Sequence, residues 1–160
     1  MDLTLRHVGP NDVGFLSAML AEAMAWRPGT PRPPASTVLM SRYVIGWPQV
    51  GDAGLVAVGG ESAEPVGATW YRLMPADDPG YGFIDSETPE VTIGVVRSWR
   101  GRGVGRRLLV ALLDLARANG QTALSLSVEE DNFALGLYES VGFERVERIG
   151  NAWTLVLHLH

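Results

Sequence analysis

The chain has 160 residues, of which 46% are hydrophobic and 19% charged, values typical of a globular domain with a substantial core. Its net charge of −5 argues against nucleic acid as a general partner, and the absence of cysteine excludes disulfides, thiol nucleophiles and cysteine-ligated metals. No apolar run approaches the roughly 18 residues of a membrane span. The first residues lack the pattern of a signal peptide. We therefore expect one domain over residues 1–160, in the cytoplasm, that binds neither membrane nor nucleic acid.

The first half of the chain combines strand and helix patterns. Alternation of apolar and polar residues predicts strands, and apolar residues at helical spacing predict a helix. A turn that contains glycine and proline joins the last two strands and predicts a hairpin. In chain order the elements are a strand over 3–8, a helix over 13–26, a loop over 27–34, a short helix over 35–43 and strands over 55–58 and 66–73.

The second half begins with a long loop over 75–89 and then alternates strands with helices. The predicted elements are strands over 91–96, 123–128, 143–146 and 153–157, with helices over 104–117 and 132–140. Because a strand, a helix and a strand follow one another directly, strands 91–96 and 123–128 are expected to be parallel neighbours joined by a right-handed crossover. No histidine spacing typical of a metal site is present, so we predict no metal.

The most informative stretch is Arg97 to Gly105, which joins a β-branched strand to an amphipathic helix. Gly101, Gly103 and Gly105 have no Cβ, so the backbone can approach a ligand closely. The start of a helix offers unpaired N–H groups and a partial positive charge, which suits anionic oxygens. Five of the thirteen arginines lie between Arg97 and Arg107. The stretch therefore predicts a phosphate-binding site.

Two common phosphate-binding motifs do not fit this stretch. A P-loop requires a lysine, and the chain has none, while a dinucleotide fingerprint requires the spacing Gly-x-Gly-x-x-Gly. The spacing that is present is Arg-x-x-Gly-x-Gly, at Arg100, Gly103 and Gly105. In this position it resembles the acetyl-CoA pyrophosphate loop of the GNAT N-acetyltransferase superfamily.

A second segment, Asp131 to Phe143, is similar to the superfamily's Asn-x-x-Ala-x-x-x-Tyr-x-x-x-Gly-Phe segment. The spacing fits from Ala134 through Tyr138 to the glycine-phenylalanine pair. The family asparagine, however, lies seven residues before the tyrosine, where this chain has Asp131, and Asn132 lies six residues before it. Either residue could fill the asparagine's place.

The resemblance implies an α/β (α+β) GNAT-type fold. This fold has a central mixed, mostly antiparallel sheet of about seven strands, splayed between two parallel central strands and flanked by about four helices. In the family the pantetheine arm of acetyl-CoA lies along the exposed strand edge beside a bulge, which Gly94 would ease here. Family habit also implies a homodimer formed through the C-terminal strands.

The resemblance also implies the site residues. Tyr138 would protonate the departing thiolate, and Glu90 would deprotonate the amine through water. A core tyrosine with a locally bonded hydroxyl and a merely solvated glutamate are the alternatives. The implied acetyl-CoA-binding residues are Val95, Val96, Arg100, Gly101, Arg102, Gly103, Val104, Gly105, Arg106, Asn132 and Tyr138.

The implied activity is transfer of an acetyl group from acetyl-CoA to a primary amine, by direct attack in a ternary complex without a metal. Acidic and aromatic side chains of the first half suit a small cationic amine. They are Asp77, Asp78, Asp85 and Glu87, with Trp26, Tyr43, Trp47, Trp70 and Tyr81. Two alternatives stay open: a protein or peptide N-acetyltransferase, and a non-catalytic acyl-CoA-binding sensor module.

Overall fold

The computed structural model of the protein describes residues 2–26 and 42–159. Within these ranges seven strands form a single sheet. The strands are β1 Leu3–His7, β2 Ala53–Gly59, β3 Glu64–Arg72, β4 Glu90–Val95, β5 Ala123–Glu129, β6 Glu144–Ile149 and β7 Ala152–His158. The helices are α1 Val13–Met24, α2 Val104–Ala118 and α3 Ala134–Ser140, and short 3₁₀ turns, Pro10–Asp12 and Arg97–Trp99, precede α1 and α2.

The sheet has the strand order β1-β2-β3-β4-β5-β7-β6. The central pair β4 and β5 is parallel, and the other neighbouring strands of the described chain are antiparallel. The predicted mixed, mostly antiparallel GNAT-type sheet is therefore confirmed. Three helices are described where about four were expected. The helix predicted over 35–43 lies outside the described residues except for Arg42 and Tyr43, which are in a turn.

The parallel strands β4 and β5 are paired at one position only. Glu90 of β4 lies opposite Ser125 of β5, and the Ser125 N–H donates to the Pro89 carbonyl at 2.9 Å. Beyond this point the strands separate. The predicted splay between the central strands is thus present, and it leaves one edge of β4 and one edge of β5 facing a gap.

The expectation of a bulge at Gly94 is wrong. The pairing of β4 with β3 runs without interruption from Gly67 opposite Val95 to Arg72 opposite Glu90, and the register shift lies instead between β2 and β3. An added Cβ at Gly94 would lie 2.3 Å from the Met19 carbonyl oxygen. A glycine inside a strand marks either a bulge or a close backbone approach, and here it lets α1 approach β4.

Apolar side chains cover both faces of the sheet. On one face α2 buries Leu108, Leu109 and Leu112 against the strands, because its apolar positions recur at helical spacing. On the other face α1 buries Leu16 and Met19. The two helices thereby fix β4 from both sides.

A buried ion pair holds the segment that precedes β2. The Arg72 guanidinium donates to Asp52 at 3.0 and 2.7 Å, and its third nitrogen donates to the carbonyls of Arg42 and Ile45 at 3.0 and 2.7 Å. The side chains of Arg72 and Asp52 are only 2% and 1% exposed. This network fixes the backbone on both sides of Tyr43.

Candidate active site

A cleft of about 630 Å³ opens where β4 and β5 separate. The loop that precedes α2 closes one end, and Glu90 lies toward the point where the strands meet. The structure brings most of the predicted site residues to this cleft. Those that line it are Glu90, Val95, Arg100, Gly101, Gly103, Val104, Gly105, Arg106, Asn132 and Tyr138.

Two predicted acetyl-CoA contacts, Val96 and Arg102, do not line the cleft. The Val96 N–H donates to the Val66 carbonyl at 2.9 Å, so it faces β3. The Arg102 guanidinium lies over the Trp99 ring, 4.9 Å from its centre. Both groups therefore have partners within the fold.

The free edge of β4 exposes backbone groups to the cleft. Backbone N–H and C=O groups alternate in direction along a strand. Since Val96 faces β3, the groups of Val95 face the opposite edge, where β5 has moved away. The Val95 carbonyl there accepts a hydrogen bond from Arg100 Nε at 3.1 Å, and the Val95 N–H is directed at the cleft.

The start of α2 forms the end of the cleft beside the glycine-containing loop. Gly101 and Gly103 have φ angles of +76° and +83°, and an added Cβ would meet nothing within 4 Å at either position, so glycine is favoured by the backbone angle. No side chain caps this helix. The Arg107 N–H already donates to the Gly103 carbonyl at 3.1 Å. The N–H groups just before it lie at the helix's positive end, which favours an anion.

The arginines of this end already have protein partners. Arg100 Nη2 donates to the Glu22 carboxylate at 2.9 Å, and Arg97 Nε lies 3.7 Å from the same oxygen. Glu22 is only 7% exposed. Arg106 donates to Ser140 Oγ at 3.0 Å. Arg100 therefore links the loop to α1. Because these arginines already have protein partners, main-chain N–H groups would provide much of the binding to an anion.

Glu90 is a buried carboxyl group, 2% exposed. Its Oε1 accepts hydrogen bonds from the Gly82 N–H at 2.8 Å and from the Tyr43 hydroxyl at 3.4 Å. Within the described ranges its Oε2 makes no hydrogen bond of good geometry, and the Gly80 main chain lies next to the carboxyl group. Burial raises the pKa of Glu90, and the hydrogen bonds from Gly82 and Tyr43 oppose that rise. A carboxyl group whose pKa is raised is a stronger base than an ordinary glutamate.

A short loop covers Glu90. An added Cβ at Gly80 would lie 2.0 Å from Glu90 Oε2, and one at Gly82 would lie 2.5 Å from the Leu126 main chain. The Tyr81 N–H between them donates to the Tyr43 hydroxyl at 2.8 Å. Glycines at 80 and 82 thus allow the loop to lie directly on the carboxyl group and on β5.

Tyr138 lies in α3 with its ring against Phe143, 6.0 Å between ring centres at an angle of 65°. Its hydroxyl donates to no other residue of the described chain. Burial raises the pKa of the Tyr138 phenol, so the group is neutral at physiological pH. It can therefore donate a proton into the cleft.

Asn132 begins the turn into α3. Its Oδ1 accepts a hydrogen bond from the Ala134 N–H at 2.9 Å, which satisfies a donor at the start of the helix. Asn132 also lines the cleft, and the neighbouring Asp131 does not. Of the two residues that the sequence left as alternatives, Asn132 is therefore the one that lies at the cleft.

The expectation for the acidic loop is wrong. Asp77, Asp78, Asp85 and Glu87 do not line the cleft. Among the aromatic residues, Trp26, Tyr43 and Tyr81 line it, whereas Trp47 and Trp70 are buried in the core. The carboxylates that do line it are Glu22, Glu90 and Glu129.

The described ranges contain neither a membrane-spanning helix nor a cluster of metal ligands. Residues 2–26 and 42–159 contain no helix long and apolar enough to cross a membrane. The same ranges bring together no group of three or more histidine, aspartate or glutamate side chains that could hold a metal ion.

The splayed sheet and the glycine-containing loop before α2 define a GNAT-type fold, and sequence comparison assigns the family. Residues 20–143 match the model of the acetyltransferase (GNAT) family. The chain belongs to this family.

Curated relatives agree with the assignment. The chain is 55% identical over 56 residues to the N-alpha-acetyltransferase RimI of Mycobacterium tuberculosis, covering 34% of both chains. It is 31% identical over 152 residues to the mycothiol acetyltransferase of Rhodococcus jostii, covering 90% of this chain and 46% of the relative. The chain spans less than half the length of the curated relatives it matches.

The fold is also similar to the PaiA N-acetyltransferase of Thermoplasma acidophilum, solved in complex with coenzyme A. The match has a TM-score of 0.71 at 15% identity and covers 99% of both chains. At this identity the likeness shows the fold.

Proposed function

We propose that the protein transfers an acetyl group from acetyl-CoA to a primary amine, by direct attack in a ternary complex. One observation carries the proposal. A single cleft joins the uncapped start of α2, the free edge of β4, the buried carboxyl group of Glu90 and the neutral phenol of Tyr138.

The cofactor end of the cleft fits a diphosphate. The main-chain N–H groups of Val104, Gly105 and Arg106 would bind its oxygens, since they lie at the positive end of α2. Open space around Gly101 and Gly103 leaves room for it. The free strand edge of β4 would bind the pantetheine arm through main-chain groups, as in strand addition. Acetyl-CoA supplies the activated acetyl group.

The proton transfers are assigned to two side chains. An attacking amine must lose a proton, and Glu90 is the buried acceptor that can take it, directly or through water. The departing thiolate gains a proton from Tyr138. The Val95 N–H would stabilise the negative oxygen that develops on the thioester carbonyl.

For the acceptor we favour a small cationic amine. Glu90 and Glu129 line the cleft together with the rings of Trp26, Tyr43 and Tyr81. Carboxylates and aromatic faces attract an ammonium group before it is deprotonated. This composition supports a cationic amine as the acceptor class.

A protein or peptide N-terminus is the second candidate acceptor. The observation that favours it is the 55% identity over 56 residues to an enzyme named N-alpha-acetyltransferase. The N-terminal amine of a peptide is also a primary amine. A long cleft with exposed apolar residues at its rim, Met24, Tyr81 and Phe133, could accommodate a peptide chain.

Further predictions concern the whole molecule. We propose one domain over residues 1–160, a cytoplasmic location and a homodimer formed through the C-terminal strands. All six residues of β6 are exposed, which supports an interface there. Light scattering of the purified chain tests the dimer, and a monomeric mass at all concentrations would contradict it.

The proposed activity is tested by thiol release from acetyl-CoA with polyamines, amino sugars and peptides as acceptors. We expect release with a small cationic amine and a strong fall in kcat for Tyr138→Phe, while calorimetry shows unchanged affinity for coenzyme A. Tyr71→Phe is the matched control, because Tyr71 is buried in the core away from the cleft. Acetyl-CoA binding without turnover on any amine would favour the sensor alternative.

A further inference from the structure

Two residues that are opposite each other in the sheet each carry a buried polar atom without a well-formed hydrogen bond. In the described part of the chain, three buried side-chain polar atoms have no hydrogen-bond partner: Glu90 Oε2, Ser125 Oγ and Trp153 Nε1. Glu90 and Ser125 are the register partners at which β4 and β5 meet. Buried polar groups are rarely left unpaired, because each carries a desolvation cost.

The register brings these two atoms to the same face. Side chains of residues directly opposite each other in neighbouring strands point to the same side of the sheet. Ser125 is fully buried, and Glu90 is 2% exposed. The loop at Gly82 lies against the β5 main chain on this side and donates to the other oxygen of Glu90. The two atoms therefore lie on the same buried side of the sheet, beside the loop that covers Glu90.

We propose that Ser125 and Tyr43 are positioning residues for Glu90, with Tyr43 donating directly to Oε1 and Ser125 donating to Oε2 through one water molecule. The two hydroxyl groups would then hold one oxygen each of the carboxyl group. They keep its free lone pairs oriented toward the cleft and favour its charged form over the protonated one. This inference rests on the proposed role of Glu90 as the base.

Other charged and titratable groups around Glu90 also influence its pKa. Arg72 is the β3 register partner of Glu90, and its guanidinium is paired with Asp52. Arg42 and the phenol of Tyr43 lie on the preceding segment, and the Tyr81 ring stacks with Arg42, 5.5 Å from the cation. Substitutions at Ser125 and Tyr43 leave both arginines in place.

The test is a carbon NMR titration of the side-chain carboxyl groups in protein labelled at glutamate, with the Glu90 signal assigned by its loss in Glu90→Gln. We expect Tyr43→Phe and Ser125→Ala each to raise the pKa of Glu90, because each removes a donor to the carboxylate. On the acid side of the pH profile, kcat/KM should fall about 3- to 10-fold for each variant. Thr154→Val is the control, since it removes another buried hydroxyl group from the same face of the sheet, opposite Ser127.

The titration tests the roles of Ser125 and Tyr43 whether or not the protein acetylates an amine. A raised Glu90 pKa in both variants and an unchanged one in Thr154→Val support the proposal, even if no amine is acetylated. An unchanged Glu90 titration in either variant overturns the role of that residue. An equal rise in Thr154→Val overturns the proposal as a whole, because any buried hydroxyl would then have the same effect.

Discussion

The two ends of the cleft are built in different ways. The end at α2 comes from one continuous stretch, 97–106, and offers main-chain N–H groups around exposed glycines. The end at Glu90 is assembled from segments around Tyr43, Gly82, Glu90 and Ser125, and its polar atoms are buried. We infer that substitutions at the α2 end can weaken ligand binding with little loss of stability. Substitutions at the Glu90 end should change binding and stability together.

The largest expected effect is on the support of the Glu90 end. Arg72→Leu leaves Asp52 buried without its partner, so we expect the free energy of unfolding to fall by about 3–5 kcal/mol. Urea denaturation measures this loss of free energy. Arg117→Leu, which breaks an exposed pair with Asp114, should cost only about 0.5 kcal/mol. Similar losses for the two variants would contradict this account of the segment before β2.

A second effect comes from the contact of α1 with β4. Gly94→Ala should lower the free energy of unfolding by about 1–3 kcal/mol, because the new methyl group would meet the Met19 backbone. Gly14→Ala, at a helix position with nothing within 4 Å, should instead raise it by up to about 1 kcal/mol. Thermal unfolding of the two variants should therefore shift in opposite directions.

A third prediction separates stability from binding at the α2 end. Gly103→Ala forces an alanine to a φ angle of +83°, which should cost about 1 kcal/mol of stability. It should also weaken acetyl-CoA binding measured by calorimetry, because the loop backbone would shift. Gly120→Ala is matched to it, with φ +79° and open surroundings at the far end of α2. Equal affinities in these two variants would count against the loop as the diphosphate site.

The smallest expected effect is on the pH dependence of stability. The pKa of Glu90 is raised by burial, so the folded protein holds this proton more tightly than the unfolded chain. Its contribution to the free energy of unfolding should therefore fall as pH rises from the ordinary glutamate pKa through the raised one. In Glu90→Gln that decline should disappear.

A carboxyl group with the opposite shift provides the comparison. The Arg6 guanidinium lowers the pKa of Asp12 through a hydrogen bond of 2.7 Å. Asp12 stabilises the fold above its ordinary pKa, and this contribution is lost as pH falls through the lowered one. Asp12→Asn should therefore change the acid side of the stability profile, and a change on the alkaline side would contradict the assignment.

The contrast between a site end formed by one continuous stretch and one assembled from distant segments explains how much could be predicted from the sequence. The strand predicted over 91–96 is observed at Glu90–Val95, and the helix predicted over 104–117 is observed at Val104–Ala118. These elements follow from local periodicity and turn residues. The contacts of Ser125 with its neighbours, by contrast, depend on a register between strands 35 residues apart in the chain, to which no local pattern refers.

Two errors have the same origin. Gly94 was assigned to a bulge because the sequence does not reveal that α1 packs on β4 at that point. The acidic residues of loop 75–89 suggested an acceptor site, whereas the loop contributes the Gly82 N–H and the close approach of Gly80.

The strand predicted over 143–146 is shorter than the observed β6, because both faces of β6 are exposed and its hydrophobic alternation is weak.

The single point of pairing between β4 and β5 has a thermodynamic consequence. With so little main-chain pairing across the centre of the sheet, β1–β4 and β5–β7 depend on α2 and its side chains for their alignment. A molecule that bridges the gap adds cohesion that the free chain lacks. By linkage, at 100 times its Kd it should raise the free energy of unfolding by about 2.7 kcal/mol. Amide hydrogen exchange in β5 should slow in parallel.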